Sequence, residues 1–473
     1  MIFYILLTIF VLAPLPFGGA LFCGISLIVA ALFLSSTYWI CRWNVGVAKA
    51  GPAWRHGKVA FYLLLLTSLW IGFQAIPLPS KTLALFSPYA AQQYDDFSHA
   101  ASAPLSLDAG STWTAFVLTA GYLTLFGLLL AVIDTQAKVK ALLWTIVISG
   151  MFQALYGTIM VLTGWEYGFF MEKTAYRGMA TGTFINRNHL AGYLEMAVAA
   201  GVGLMLTEPR AALTGDRNWL SRGLRLADLI LSWKACLRVG LVIMVVGLVM
   251  TRSRMGNAAF FLSLVLTGFF TFLGRPKQRQ TGSRSISKTS VAVLFLSIAV
   301  VDVFVVSNWF GLERLAARLE QTTVEHEERV EINRFLWPMF KTFWPTGCGA
   351  GTFYSAFPAF VTEDGNVSKS LYEHAHNDLA QFAIELGVVG YVPLVLGVVA
   401  SLTVAVRTLI QSTSPVARSC AVASFMGLSS LLVHSAVDFN LQIPANALLF
   451  VALMSLPWIG SGMGRKAETK WSS

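Results

Sequence analysis

Charged side chains are scarce in this chain. Asp, Glu, Lys and Arg make up only 12% of its 473 residues, whereas roughly a quarter is ordinary for a soluble domain. Hydrophobic residues make up 56%, and apolar runs of about twenty residues, the length that crosses a bilayer, recur from one end to the other. The composition excludes a soluble globular protein. It predicts an all-α, polytopic integral membrane helical bundle.

Paired cysteines and metal-ligand clusters are also missing. Four of the five cysteines (Cys23, Cys41, Cys236 and Cys420) lie in or beside apolar runs, and only Cys348 lies in a long hydrophilic loop. No CxxC or other paired spacing occurs, so we predict neither a disulfide framework nor a zinc site. No DxD motif or His/Asp cluster falls in the predicted outer loops. We therefore predict no metal and no cofactor.

The first residues lack a basic region and a clear small-residue cleavage site. We expect a retained first span rather than a removed signal peptide. The apolar runs predict about twelve transmembrane helices, with one large loop, residues 311–386, before the tenth. The predicted spans are 1–13, 17–41, 57–78, 112–133, 138–163, 187–207, 235–251, 255–274, 289–310, 387–410, 416–436 and 442–460. The first is short, and residues 1–41 fit one hairpin or one long span as well.

Lys and Arg are concentrated in alternate loops, which explains the net charge of +10 without nucleic-acid binding. With twelve spans these loops all lie on one side, and the positive-inside rule makes that side cytoplasmic. Both termini are then expected in the cytoplasm and residues 311–386 outside. The basic regions are 42–58, 138–140, 210–234, 275–288, 407–418 and 465–470.

Some arginines contradict this trend, because Arg177, Arg187, Arg252 and Arg254 lie in or beside short outer connections. A single Arg at a helix end is usually a snorkelling anchor. Here, however, Arg187 opens the sixth span and Arg254 the eighth, while His376 precedes the tenth. All three helices begin on the outer face, where their N-termini direct partial positive charge and free N–H groups outward. Arginines in these places predict an anion site that suits a diphosphate.

The stretch 373–378 and the helix after it organise the outer side. His376, Ala380, Ala383, Gly387 and Gly390 recur at spacings of four and three, which predicts one shared helix face. Small residues on such a face allow close approach of another backbone. An imidazole at its polar end suggests a reactive group at the membrane surface.

Other outer segments carry polar residues with more than one interpretation. The turn 182–188 has two Asn that can cap the sixth helix. The turn 434–440 contains Asp438, which can orient an imidazole, hold a sugar hydroxyl or cap a helix. The glycine-rich run 345–351 lacks the Lys of a phosphate-binding loop, so we expect a flexible turn. The charged run from Glu320 to Arg334 predicts a mostly solvated helix.

These residues resemble the O-antigen ligase family and the related O-antigen and exopolysaccharide polymerases. The ligase motif is His, then Asn, Ser or Gln, nine residues, Gly, two residues, and Gly, Thr or Tyr. His376, Asn377, Gly387 and Gly390 fit it completely. The Thr-x-Ser-Arg element ending at Arg254 is also similar, as are the Gly-Thr-Phe-x-Asn-x-Asn element at 182–188 and the loop from 329 to 376. The likeness covers roughly residues 170–450, so we divide the chain into N-terminal membrane helices (1–163) and an O-antigen ligase-like region (164–473).

The resemblance implies a membrane glycosyltransferase of the C-type architecture in the bacterial inner membrane. Its donor would be a glycan on undecaprenyl diphosphate, transferred at the periplasmic face to lipid A–core, with inversion and without a metal. The essential His of the family corresponds to His376, and one of its two essential Arg to Arg254. For the other, Arg187 is the first choice and Arg177 the second. Further substrate-binding candidates are Asn377, His374, Arg329, Asn188 and Asp438.

Several alternatives remain open at this point. A polymerase would use a lipid-linked repeat unit as its acceptor, and a protein-directed oligosaccharyltransferase is a third possibility. A transporter of polyanionic or lipid-linked sugars would place charges at mid-span and show two similar halves, and neither feature is visible. A purely structural scaffold would not need the outer arginines.

Overall fold

Helices make up almost all of the structure. The computed structural model describes residues 1–98, 101–168, 171–207, 233–274, 332–361 and 372–469. Within them, nine helices are long and apolar enough to cross a membrane. The predicted fold class, a polytopic helical membrane protein, is confirmed.

The elements are numbered here in chain order. The helices are α1 (Ile2–Leu12), α2 (Phe22–Asn44), α3 (Pro52–Gln74), α4 (Ser80–Phe86), α5 (Pro88–Ser98), α6 (Ala109–Val132), α7 (Gln136–Thr163), α8 (Arg187–Met205), α9 (Trp233–Met250), α10 (Arg254–Leu273), α11 (332–342), α12 (Phe353–Ala356), α13 (Asp378–Gln411), α14 (Pro415–Ser435) and α15 (Pro444–Thr469). Short 3₁₀ turns cover Phe17–Gly19, Phe357–Phe360 and Asn440–Gln442. Two small antiparallel hairpins pair β1 (Leu78–Pro79) with β2 (Ser102–Ala103) and β3 (Tyr167–Gly168) with β4 (Met171–Glu172).

Eleven of the twelve predicted spans overlap helices, and the span 289–310 lies outside the described residues. The N-terminal region forms two helices, α1 and α2, joined by a turn, which is the hairpin alternative. α8 is not among the nine helices that are long and apolar enough to cross a membrane, because its first turn is polar and Glu195 lies near its middle. It is nevertheless the centre of the bundle, since every residue from Asn188 to Leu204 is buried.

The connections predicted to be outer gather at one end of the bundle. Leu107 N–H donates to Cys348 O (2.9 Å), and Ala180 N–H donates to Met250 O (2.9 Å). The start of α13 is bound to the α14–α15 turn. We call this the His376 end. The predicted grouping of these connections is therefore confirmed, while the side of the membrane that they face stays a prediction.

Candidate active site

Three imidazoles surround one phenyl ring at the His376 end. The ring of Phe439 lies 4.8 Å from that of His376 and 4.6 Å from that of His374 and that of His189, between ring centroids. The His374 ring is stacked on it, at 29° between planes, and the other two are nearly perpendicular to it. The aromatic ring thus sets the positions of three titratable groups from two separate segments. Two of them, His374 and His376, were predicted from the sequence.

His376 does not lie on the helix that follows it. Its φ is 51°, in the left-handed region, and α13 begins only at Asp378. The side chain of Asn377 caps that helix by accepting Ala380 N–H at 3.0 Å. The imidazole is therefore turned out of the helical path by a backbone conformation that L residues rarely adopt. The predicted single face from His376 to Gly390 is wrong at this end.

The same face is broken again at Gly387. This residue has φ 60° and ψ −177°, so the helical path is interrupted inside α13. A Cβ here would collide with Pro345 O and Gly347 N, and a Cβ at Gly390 would collide with the indole of Trp70. The two motif glycines therefore allow a loop and an aromatic ring to pack directly on α13. The predicted close approach of another backbone is confirmed at Gly387, whereas the close neighbour of Gly390 is a side chain.

The glycine-rich run 345–351 is held firmly, contrary to the flexible turn we expected. Cys348 N–H and Gly349 N–H donate to the carbonyls of Ile384 and Glu385, at 3.1 Å each. These carbonyls are available because the helical path breaks just after them. The buried carboxylate of Glu385 also accepts Gly351 N–H at 3.0 Å and Phe353 N–H at 3.2 Å. The break in α13 thus anchors the loop beside the site.

Electrostatics keep His374 neutral. Burial, with the nearby His376, lowers the pKa of His374 to about 4. Gln381 Oε1 accepts Ala375 N–H (2.9 Å), so its Nε2 is the donor to His374 Nδ1 at 3.3 Å. Nδ1 is then an acceptor, and the proton of the neutral ring is on Nε2. His374 is accordingly an uncharged neighbour of His376, held in place by its hydrogen bond with Gln381.

Asp438 joins the beginnings of two helices. Its carboxylate accepts Asn188 Nδ2–H from α8 at 2.6 Å, and its backbone carbonyl accepts Asp378 N–H at 3.2 Å from α13. His189 Nε2 lies 4.0 Å from the same carboxylate. Of the two Asn in the 182–188 turn, Asn186 caps α8 and Asn188 makes this contact instead. Asp438 therefore orders the site and is not a helix cap.

The beginning of α10 lies against α8 as well. Ser253 caps α10, so Arg254 is its first residue and is exposed. A Cβ at Gly256 would stand 2.9 Å from Ala191 Cβ and 3.0 Å from Glu195 Oε1, which shows how closely the two helices approach. The N-termini of α8, α10 and α13 thus meet at one end of the bundle, as the placement of Arg187, Arg254 and His376 predicted.

The two candidates for the second arginine have different surroundings. Arg187 is partly buried; its guanidinium lies over the Tyr176 ring at 5.6 Å, and its Nη1 lies 2.8 Å from Met179 Sδ. Arg177 is 61% exposed and forms an ion pair with the equally exposed Glu172 at 2.7 Å. Since Arg187 directly precedes Asn188, it is the better placed of the two. Arg329 lies outside the described residues.

Sequence reasoning missed several residues of this end. His189 and Phe439 complete the imidazole cluster, and Glu385 binds the loop. Glu195 forms a buried pair with His434, with 2.8 Å between Glu195 Oε1 and His434 Nδ1. The available signal was an acidic residue inside an apolar run, because such residues are costly in a membrane and usually functional. Among the described residues, no group of three or more His, Cys, Asp or Glu is arranged to hold a metal ion.

Residues 239–395 match the family model for O-antigen ligases. The match covers a third of the chain and includes Arg254, His376 and both motif glycines, so the resemblance is confirmed there. The contacts at 345–351 and Gly387 thus lie within the O-antigen ligase region, while Arg187, Asn188 and Asp438 lie outside it. A search of curated proteins found no match to the chain.

Proposed function

We propose that the chain is an inner-membrane glycosyltransferase of the O-antigen ligase type. It transfers a glycan from undecaprenyl diphosphate to a hydroxyl of lipid A–core at the periplasmic face, with inversion and without a metal. The observation that carries the proposal is that the N-termini of α8 and α13 meet at the His374–His376–Phe439 cluster, while the start of α10 packs on α8. The match to the O-antigen ligase family model, which includes His376 and Arg254, supports the proposal independently of the structure.

In the proposed reaction the acceptor hydroxyl attacks the anomeric carbon of the donor sugar. His376 takes the hydroxyl proton as general base, which typically contributes about 10² to 10⁴ in rate. The bond between the anomeric carbon and the diphosphate oxygen breaks, and the diphosphate leaves with its negative charge. Arg254 and Arg187, beside the positive ends of α10 and α8, stabilise that charge. His374, Asn377, Asn188 and Asp438 hold the base and the sugars in place.

A lipid-linked donor also needs an apolar surface for its tail. A cavity of about 780 Å³ lies between α1 and α2, with walls that include Leu12, Phe17 and Leu27. Next to it, a Cβ at Gly18 would meet Phe184 at 2.5 Å and Ile443 at 3.1 Å. Phe184 and Ile443 belong to the 182–188 turn and the α14–α15 connection. We infer that part of the polyisoprenyl chain occupies this cavity.

Alanine variants test the site. His376→Ala and Arg254→Ala should each lower glycan transfer by at least about a hundredfold. Arg187→Ala should do the same. Arg177→Ala removes an exposed ion pair with Glu172 and a hydrogen bond to Lys173 O, and it should leave transfer nearly unchanged. The measurement is glycan transfer by purified, reconstituted protein, with membrane expression of each variant as the control. Full activity of His376→Ala would refute the assignment of the general base. Loss of transfer in Arg177→Ala but not in Arg187→Ala would make Arg177, in place of Arg187, the second diphosphate-binding arginine.

Glycan profiling of a deletion strain distinguishes ligase from polymerase. A ligase defect should leave long lipid-linked chains without attachment to lipid A–core. Single unpolymerised repeat units would instead identify a polymerase with a lipid-linked repeat unit as its acceptor.

Metal independence is tested with the same reconstituted protein. Transfer should continue at an unchanged rate after treatment with EDTA, because arginines supply the positive charge at the leaving group. Loss of activity that Mg²⁺ restores would contradict this part of the proposal.

A further inference from the structure

Helix α11 has two chemically different faces. Ile332, Leu336 and Met339 are buried and, with Phe343, pack into the core at the His376 end. The exposed stripe on the other side repeats at spacings of three and four and alternates cations with indoles: Arg334, Trp337 and Lys341 in α11, and Trp344 in the turn directly after it. Residues at these spacings share one side of a helix. The exposed side of α11 is therefore both aromatic and basic.

The aromatic rings of this stripe contact neighbouring side chains and yet remain exposed. Trp337 is 61% exposed and Trp344 52%. Phe340 lies between them, 5.7 Å from the Trp337 ring and 5.4 Å from the Trp344 ring, and Lys341 Nζ lies 5.1 Å from the Trp337 ring centroid. Exposed large aromatic side chains clustered in this way indicate a surface that another molecule covers.

The position of the stripe identifies that molecule. Pro345 O accepts Val389 N–H at 3.4 Å, and Thr346 O accepts Gln74 Nε2–H at 2.8 Å. Gln74 is the last residue of α3, and Val389 begins the exposed apolar surface of α13 that continues through Val392 and Leu396. The backbone just after Trp344 thus contacts the last residue of α3 and the start of the apolar surface of α13, where we place the membrane boundary.

A second short helix extends the same surface. In α4, Lys81 and Leu85 are exposed at a spacing of four, and Leu85 is 79% exposed beside the half-exposed Phe86. Thr346 Oγ1 donates to Phe86 O at 3.2 Å, so α4 and the end of α11 are neighbours. Aliphatic side chains next to the indoles suit acyl chains and not sugar rings.

We propose that α11 lies in the headgroup region of the bilayer at the His376 end. Its indoles enter the interface, as Trp side chains commonly do. Arg334 and Lys341 bind phospholipid phosphates, the usual arrangement of an interfacial amphipathic helix. This contact fixes the 345–351 loop, and with it Glu385 and the start of α13, at the membrane surface. The inference does not depend on the reaction that the site catalyses.

Site-directed fluorescence tests the contact in full-length protein. The exposed native cysteines (Cys23, Cys41 and Cys236) are first replaced by Ala. A polarity-sensitive fluorophore is then attached to the Lys341→Cys variant, reconstituted in phosphatidylethanolamine–phosphatidylglycerol vesicles. A nitroxide on the lipid headgroup should quench this label several-fold more than a label on the Asp96→Cys variant, because Asp96 lies on the acidic exposed side of α5. Equal quenching at both positions would overturn the proposal.

A second variant shows what holds the helix at the surface. Trp337→Ser with Trp344→Ser, added to the Lys341→Cys protein, should reduce quenching to the level of the Asp96→Cys label, while size-exclusion elution and glycan transfer in detergent stay unchanged. Undiminished quenching would mean that the two indoles do not hold α11 at the membrane surface. A label that responds to a soluble glycan but not to the nitroxide would assign the stripe to sugar binding instead.

Discussion

His374 shows how burial fixes a protonation state next to the proposed base. Its pKa is lowered to about 4, whereas an unfolded chain has a His pKa of about 6.5. Below about pH 6.5, the His374 ring binds a proton in the unfolded chain. In the folded protein the same ring stays neutral until the pH reaches about 4. The neutral ring therefore contributes stability above pH 6.5, and this stability is lost progressively as the pH falls toward 4.

We predict that His374→Gln weakens this acid sensitivity. Glutamine keeps an acceptor for Gln381 but does not titrate, so the variant should lose less thermal stability than the wild type between pH 7 and pH 5. The measurement is the apparent Tm of the detergent-solubilised protein at both pH values. If the two proteins lose the same stability between pH 7 and pH 5, burial does not lower the pKa of His374 and the prediction is wrong. The matched control is His56→Gln, because His56 lies near the start of α3, at the opposite end of that helix from Gln74 and the site.

Single residues also show the limits of sequence reasoning at this scale. His376 and Asn377 were found because motif spacing marks them, and Asp438 because it lies in the outer turn between the last two predicted spans. Phe439 and His189 were missed, since a Phe and a His beside a membrane span have many ordinary explanations. Only the fold brings residues 189 and 439 to the same place. Long-range packing, which spacing along the chain does not encode, determines that part of the site.

At the scale of one element, α13 combines the motif with a structural break. The sequence predicted its apolar span and its small residues. It also predicted a helical run before the span, which agrees with the start of α13 at Asp378. It did not predict that Gly387 interrupts the helix, because a glycine in a helical pattern is equally compatible with an unbroken helix. The reason for the break lies in the loop 345–351, more than thirty residues away, whose backbone occupies the space that a Cβ would need.

We predict that Gly387→Ala is far more damaging than Gly164→Ala. Both glycines have positive φ, 60° and 69°, but the space around Gly164 is open within 4 Å, whereas Gly387 meets the backbone of Pro345 and Gly347. The control variant should cost about 1–2 kcal/mol, the penalty of the left-handed conformation alone. Gly387→Ala adds the collision, so the loop must move and transfer activity should fall as well. Thermal stability and glycan transfer of both variants are the measurements, and equal effects would contradict the packing described here.

At the scale of the molecule, the described parts of the connections expected on one side gather at the His376 end. The alternation of the described spans was therefore predictable from the apolar runs and the basic loops. The division at residues 163 and 164 stays a prediction. Helices from both parts pack together, for example through the 2.8 Å contact between the hydroxyls of Ser149 in α7 and Tyr193 in α8. Charge counts predict the side that each end faces, because basic loops are retained in the cytoplasm.

Cysteine labelling tests this orientation directly. In a protein whose exposed native cysteines are replaced by Ala, Asp96→Cys places a thiol at the His376 end, and Lys49→Cys places one on the opposite end, in the basic connection between α2 and α3. A membrane-impermeant maleimide, added to cells with a permeabilised outer membrane, should label the Asp96→Cys protein at once and the Lys49→Cys protein only after lysis. The reverse pattern would place the imidazole cluster in the cytoplasm. Lipid A–core on the outer leaflet would then be out of its reach, and the proposed ligase reaction would be excluded on topology alone.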